Sequence, residues 1–181
     1  TGSQELEQLH FGGGTPTFLT EDELELMMDT LTKRFPLAKT GGEFSIEVDP
    51  RTCGPSKVKK LREIGLNRMS LGVQDFNPDV QKAVNRIQPF EMTKETMDAA
   101  RAEGFHSINM DLIYGLPNQD MAGWRDTVEQ VLELPLTDAE TVAFGEWIRL
   151  LYAQEGYHKE MLFLLLIILD EVVRLRRERQ T

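Results

Sequence analysis

The sequence predicts an α/β fold built on a parallel β-sheet, and two observations lead to this prediction. Short stretches that alternate apolar and polar residues are separated by longer segments with apolar residues at helical spacing. A strand, a helix and a further strand in succession are typical of a βαβ unit, whose strands lie parallel. Because ligands of parallel sheets bind at the carboxyl ends of the strands, we expect a functional site where the loops after the strands gather.

The first predicted strand, residues 7–12, ends in three consecutive glycines, Gly12, Gly13 and Gly14. Glycine has no Cβ, so the backbone can turn sharply there and approach a ligand closely. Thr15 then adds a hydroxyl and Pro16 stops the strand. Taken alone, such a turn also suits a hairpin or a linker, so the interpretation depends on the residues that accompany it.

The remaining elements continue the alternation of helix and strand. Thr20 and Glu23 have the spacing of a capping box, which predicts the start of a helix. Ser56 is predicted to cap the next helix, and Thr93 and Thr96 to cap a later one. In chain order, the predicted elements are helix 21–34, strand 44–48, helix 56–64, strand 68–74, helix 78–84, helix 93–103, strand 107–113, helix 120–134 and strand 141–144.

Composition excludes several classes of function. The chain has 181 residues, with 20 basic and 30 acidic side chains and a net charge of -10, which argues against nucleic acid as its main partner. The single cysteine, Cys53, excludes a disulfide framework and any cluster or zinc site held by several cysteines of this chain, and it suits the cytoplasm. His10, His106 and His158 show no metal-ligand spacing, so no metal ligand is predicted.

Polar residues occur at or just beyond the end of every predicted strand. Amide, hydroxyl and carboxylate groups in such positions suit a ligand that carries amines and hydroxyls, such as an amino acid or a ribose. For any one of these residues, capping a loop is an equally good interpretation. The set comprises Gly13, Gly14, Thr15, Glu47, Asp49, Gln74, Asp75, Asp111 and Tyr114.

Five motifs, in this order and at this spacing, give the chain a resemblance to the oxygen-independent coproporphyrinogen III oxidases, radical S-adenosylmethionine (SAM) enzymes of haem biosynthesis. The related haem chaperones differ from this chain at Asp49 and at residues 85–88, so the oxidases are the better match. The resemblance covers residues 4–134 and implies a partial parallel (β/α) barrel of four to five strands over residues 4–145. The motifs are residues 12–17, 45–51, 67–76, 84–88 and 111–117.

The resemblance implies cofactors, a reaction and site residues. In that family a [4Fe-4S] cluster, held by a C-x-x-x-C-x-x-C loop, cleaves SAM reductively, and the resulting radical starts the oxidative decarboxylation of coproporphyrinogen III to protoporphyrinogen IX. Matched by position, Gly13 and Glu47 would contact the SAM at the cluster. Five further residues would surround a second SAM, namely Gly14, Thr15, Gln74, Arg86 and Asp111. No catalytic residue is assigned.

The chain departs from that family in two places. The cluster loop would lie upstream of Gln4, and the start without Met indicates a fragment, so we expect the chain alone to hold no cluster and to be inactive. Residues 146–181 do not follow the family pattern. Their apolar run, residues 161–169, is too short to span a membrane, and we predict a helix over 158–179 that is buried within the chain or in a homodimer.

Three hypotheses therefore remain open from the sequence. The chain is a piece of the oxidase that is active when the cluster segment is supplied. Alternatively, it is a chaperone-like module that binds SAM or haem without chemistry. In the third hypothesis it is a truncated, frameshifted or engineered chain without activity.

Overall fold

The computed structural model describes residues 5–137 and residue 140. They form two compact units, the first of residues 5–74 and 88–112 and the second of residues 75–87, 113–137 and 140. The strand predicted at 141–144, the domain boundary at 145 and the helix over 158–179 with its dimer surface lie outside the described residues. Within the described part of the chain, no helix is long and apolar enough to cross a bilayer.

The first unit contains a four-stranded parallel sheet, which confirms the predicted fold class. The strands are β1 (Gln8–Phe11), β2 (Glu43–Val48), β3 (Arg68–Gln74) and β4 (Ser107–Leu112). They lie side by side in chain order, so each crossover joins neighbouring strands. The helices are α1 (Glu21–Arg34), α2 (Pro55–Glu63), α3 (Pro78–Ala83), α4 (Phe90–Ala102) and α5 (Met121–Glu133), of which α3 and α5 belong to the second unit.

One face of the sheet is apolar and buried. Ile46 of β2 and Leu71 of β3 are fully buried, and so are Leu24 of α1 and Leu61 of α2. Right-handed crossovers put the connecting helices on one side of the strands, so the core of this unit lies between that side and the helices. The opposite face of the same strands is polar, and it is described with the site.

Two predicted helix starts were wrong, because a proline begins the helix earlier. Pro55 is the first residue of α2 and Gly54 is its N-cap, while the Ser56 hydroxyl donates to Glu21 Oε1 at 2.9 Å. Pro89 is the N-cap of α4, so Thr93 and Thr96 fall inside that helix. Both are buried, and Thr96 Oγ1 donates to the carbonyls of Cys53 and Met92. By contrast, the capping box of Thr20 and Glu23 is confirmed.

The glycine turn after β1 stores backbone strain. Gly13 and Gly14 have φ of 72° and 63°, and Thr15 follows with φ of 94°. Positive φ is ordinary for glycine but a genuine outlier for β-branched threonine. The far side of the turn is anchored by Thr17, whose hydroxyl accepts from the Asp49 N–H at 3.2 Å, and by Lys57, which donates to the Thr17 and Leu19 carbonyls. These contacts hold Thr15 in place.

A buried carboxylate organises the second unit. Asp75 is 2% exposed, and its Oδ1 accepts from the Asn77 N–H at 2.6 Å and from Thr127 Oγ1 of α5 at 2.9 Å. Its Oδ2 accepts from Gln119 Nε2 at 2.6 Å. Gln119 in turn accepts from the Gly115 N–H. One side chain thus joins the start of α3, the loop before α5 and α5 itself.

Replacing Thr15 by glycine should stabilise the chain. We expect a gain of about 1 kcal/mol in the free energy of unfolding, because the strain removed exceeds the freedom that glycine adds to the unfolded chain. Chemical denaturation followed by circular dichroism measures it. Asn118→Gly is the matched control, since Asn118 has φ of 64°, a conformation that asparagine tolerates. A Thr15→Gly gain no larger than that of Asn118→Gly would contradict the strain argument.

Replacing Asp75 by asparagine should destabilise the chain by about 2 kcal/mol, since an amide nitrogen would face one of the three buried donors. Asp79→Asn is the control, because the Asp79 side chain is 77% exposed and its ion pair is with Lys82 of its own helix. That change should stay within about 0.5 kcal/mol of the wild type. Equal effects of the two substitutions in thermal unfolding would show that the Asp75 contacts do not organise the unit.

Candidate functional site

The glycine turn is pinned to the neighbouring strand by one hydrogen bond. The Gly13 N–H donates to Glu47 Oε2 at 3.0 Å, and Glu47 is the second-to-last residue of β2. A Cβ built at Gly13 or Gly14 would meet no atom within 4 Å, so the turn is open on that side. At Gly12, by contrast, a Cβ would collide with His10 Nε2 and Glu47 Oε1. Gly12 therefore allows close packing beneath the turn, while Gly13 and Gly14 leave room for a ligand above it.

A polar face runs across all four strands. It is formed by His10, Ser45, Glu47, Ser70, Asn109 and Asp111, which alternate with apolar residues that are buried or half-buried. Glu47 is paired in register with Ser70 of β3, and Ser70 Oγ donates to Asp111 Oδ2 of β4 at 2.8 Å. Parallel sheets usually bury apolar residues on both faces. A polar, partly exposed face therefore indicates a surface that meets a polar ligand.

The structure brings several of the predicted site residues to this face. Gly13, Gly14, Thr15 and Glu47 lie together at the carboxyl ends of β1 and β2, and Asp111 lies near the carboxyl end of β4. Arg86 belongs to the second unit, where its backbone N–H donates to the Gln81 carbonyl at 2.8 Å.

Gln74 has the most unusual environment of the predicted site residues. It ends β3 with φ of 66°, and its buried Oε1 finds no donor among the described residues. A buried carboxamide oxygen without a donor is costly, so it indicates a place for a hydroxyl or amine from a ligand.

Other polar residues at the strand ends have structural roles. Asp49 is 5% exposed, accepts from the Arg51 N–H and pairs with the Arg51 guanidinium at 2.7 Å. That hydrogen-bonded pair raises the pKa of Arg51. Both carboxylate oxygens of Asp75 accept hydrogen bonds within the second unit. For these two carboxylates, the interpretation as loop-capping residues holds.

Four residues of the polar face were not predicted from the sequence, namely His10, Ser45, Ser70 and Asn109. A usable signal was present. In β2, β3 and β4 every second residue is polar or glycine over the whole strand, and in a parallel sheet that alternation marks the face that is not packed by helices.

The polar groups at this edge of the sheet fit SAM and do not fit an iron–sulfur cluster. Carboxylates, an amide oxygen that accepts no hydrogen bond from the described residues and open glycine backbone suit ribose hydroxyls and an ammonium group. Cys53 is fully buried, and burial raises its pKa to about 12, so it offers no thiolate near neutral pH. Among residues 5–137 and 140, no three His, Cys, Asp or Glu side chains are grouped to hold a metal ion.

Comparison with known proteins gives one consistent family. Residues 2–131 match the radical SAM superfamily. The chain is 52% identical over 132 residues to the oxygen-independent coproporphyrinogen III oxidase of Pseudomonas aeruginosa, and 47% identical over 129 residues to that of Synechocystis. These alignments cover 72% and 71% of this chain.

Solved structures agree with these sequence matches. The coproporphyrinogen III oxidase of Escherichia coli, described as a radical SAM enzyme, superposes with a TM-score of 0.68 at 44% identity over 71% of this chain. An archaeal Elp3 from Methanocaldococcus infernus, 17% identical over 69% of this chain and 33% of its own, shares the fold with a TM-score of 0.56.

This chain spans 29% of the Pseudomonas aeruginosa enzyme, 28% of the Synechocystis enzyme and 30% of the Escherichia coli enzyme. The family match runs through all four strands of the sheet and the glycine turn at its edge, and on that ground the chain belongs to the radical SAM superfamily.

Proposed function

We propose that this chain is the SAM-binding core of an oxygen-independent coproporphyrinogen III oxidase. The observation that carries the proposal is the contact between the Gly13 N–H and Glu47 at the carboxyl edge of a polar sheet face. It joins the two residues that the family resemblance assigns to the SAM at the cluster. The identity of 52% to one such oxidase and 44% to another supports the choice within the superfamily.

Glu47 is suited to hold the ligand because only part of its carboxylate is used by the protein. Oε2 accepts from Gly13, whereas Oε1 accepts no hydrogen bond from the described residues and lies 3.6 Å from His10 Nε2. The side chain is 47% exposed. A carboxylate in this state can accept from ribose hydroxyls or from the methionyl ammonium, and the open backbone of Gly13 lets either group come close.

The residues proposed for the second SAM have similar properties. Asp111 uses Oδ2 for Ser70, and no donor among the described residues contacts its other oxygen. Gln74 offers its buried amide oxygen. Gly14 and Thr15 continue the turn. Arg86 lies in the second unit, and its role at the second SAM is supported by the family resemblance alone.

The chain alone should bind and orient SAM without radical chemistry. In the family the [4Fe-4S] cluster supplies the electron that cleaves SAM, and the substrate class is a tetrapyrrole with propionate side chains. The single cysteine of this chain is unsuited to ligate iron. We therefore assign to these residues only the binding of the nucleoside and the amino-acid part of SAM.

Titration with SAM followed by NMR tests the proposal. We expect a dissociation constant of about 1 mM or weaker, because the cluster iron that normally chelates the methionyl group is missing. Amide shifts should concentrate at Gly13, Gly14 and Glu47. Glu47→Ala should weaken binding roughly 10-fold through loss of a charged acceptor.

Glu43→Ala is the matched control, since Glu43 is the first residue of β2, at its amino end, where it pairs with Arg68. It removes the same charge from the same strand and should leave binding unchanged. Equal losses in the two variants, or shifts scattered over the surface, would refute the assignment of the site.

The Cys53 thiol should be inert. Dithionitrobenzoate at pH 8 should modify it slowly in the folded chain and fully in guanidinium, because a thiol with a pKa of about 12 is almost entirely protonated. The unfolded thiol ionises near 9.0. Wild-type stability should therefore fall, relative to Cys53→Ala, as pH rises from about 9 towards 12.

The burial of Cys53, the one cysteine in the chain, predicts the result of anaerobic reconstitution with iron and sulfide. The chain should gain less than one cluster per molecule, measured by iron content and absorbance. A stoichiometric [4Fe-4S] spectrum would overturn our assignment of the donor set. Fast modification of the native thiol would show that Cys53 is accessible.

A further inference from the structure

His10 lies between two residues of the neighbouring strand. Its Nδ1 is 2.8 Å from Ser45 Oγ, and its Nε2 is 3.6 Å from Glu47 Oε1. The ring fills the space beneath Gly12, where a Cβ would collide with both Nε2 and the Glu47 carboxylate. The Glu47 carboxylate is thus held from two sides, by the Gly13 N–H on Oε2 and by the imidazole beside Oε1.

The hydrogen bonds of Ser45 fix the orientation of the imidazole. Ser45 Oγ lies 2.8 Å from His10 Nδ1 and 3.2 Å from the Leu9 carbonyl oxygen. With Nδ1 held at Ser45, Nε2 faces the Glu47 carboxylate, and a proton on Nε2 attracts Oε1. Among the described residues, Glu47 is the one acidic group within 4 Å of this ring.

We propose that His10 is a positioning residue for Glu47. It acts through Nε2, with Ser45 holding the ring, and it keeps the carboxylate aligned on the glycine turn where the ligand binds. The identity of the ligand in this proposal rests on the proposed function. The contact between His10 and Glu47 does not depend on it. The competing view is an exposed ion pair of negligible effect, since the His10 side chain is 57% exposed.

A pair of amide substitutions separates the two ring nitrogens. The carboxamide nitrogen of asparagine takes roughly the position of Nδ1, and that of glutamine the position of Nε2. The readout in the ligand-free chain is the NMR shift and hydrogen exchange of the Gly13 amide. His10→Asn should speed that exchange about 10-fold, as expected for a weakened charge-assisted hydrogen bond, while His10→Gln should stay near the wild type.

Ligand binding provides the second readout. His10→Asn should weaken SAM binding several-fold, and His10→Gln should restore it. If the Gly13 amide responds as expected but SAM does not bind even to the wild type, the positioning role stands and the proposed function fails. Equal behaviour of the two variants at the Gly13 amide would overturn the proposal.

Ser45→Ala keeps the test open should His10→Asn fail to fold. Without the Ser45 hydroxyl the ring loses its contact at Nδ1, so hydrogen exchange of the Gly13 amide should be faster than in the wild type. An exchange rate equal to that of the wild type would contradict the role.

Discussion

The hydrogen bond from the Gly13 N–H to Glu47 is the contact on which the geometry of the site depends. Its donor lies in the turn after β1 and its acceptor in β2, so it forms only after β1 and β2 pair in the observed register. It also requires a turn with three successive positive φ values, one of them at a threonine. The anchoring of Thr17 by Asp49 and Lys57 supplies the energy to hold that turn. The geometry of the site therefore depends on both the pairing of β1 with β2 and the packing of the loop after the turn.

The polar face explains why a parallel sheet can serve as a binding surface. The described helices of the first unit pack on the apolar side of the sheet, and apolar and polar residues alternate along its strands. Ile46 and Leu71 are therefore buried, while Glu47 and Ser70 lie on the opposite face. The hydrogen bonds along this face, from His10 to Ser45 and from Ser70 to Asp111, fix polar side chains before any ligand arrives. Such preorganisation lowers the ordering cost of binding.

Local signals predicted most of the fold, because capping boxes, prolines and strand alternation act over a few residues. The Thr20 capping box and the strand at 68–74 were correctly placed. Ser56 and Thr93 were wrongly predicted as N-caps, because serine and threonine favour that position but a proline before each of them starts the helix earlier. The burial of Thr93 is a tertiary effect that no local pattern shows. In the same way, His10 gained its role only when β1 met β2, 35 residues later in the chain.

Two kinds of carboxylate lie at or just beyond the carboxyl ends of the strands, and burial distinguishes them. Asp49 and Asp75 are almost fully buried and each accepts several hydrogen bonds from the protein. Glu47 and Asp111 are exposed to solvent, and within the described part of the chain each accepts one hydrogen bond from the protein. A satisfied carboxylate has no capacity left for a ligand, whereas a partly satisfied one on a rigid strand has its position fixed and its acceptor sites available. In the sequence all four are acidic residues at or near strand ends. Their burial and their hydrogen bonds in the folded chain separate the residues that build the loops from those that can bind.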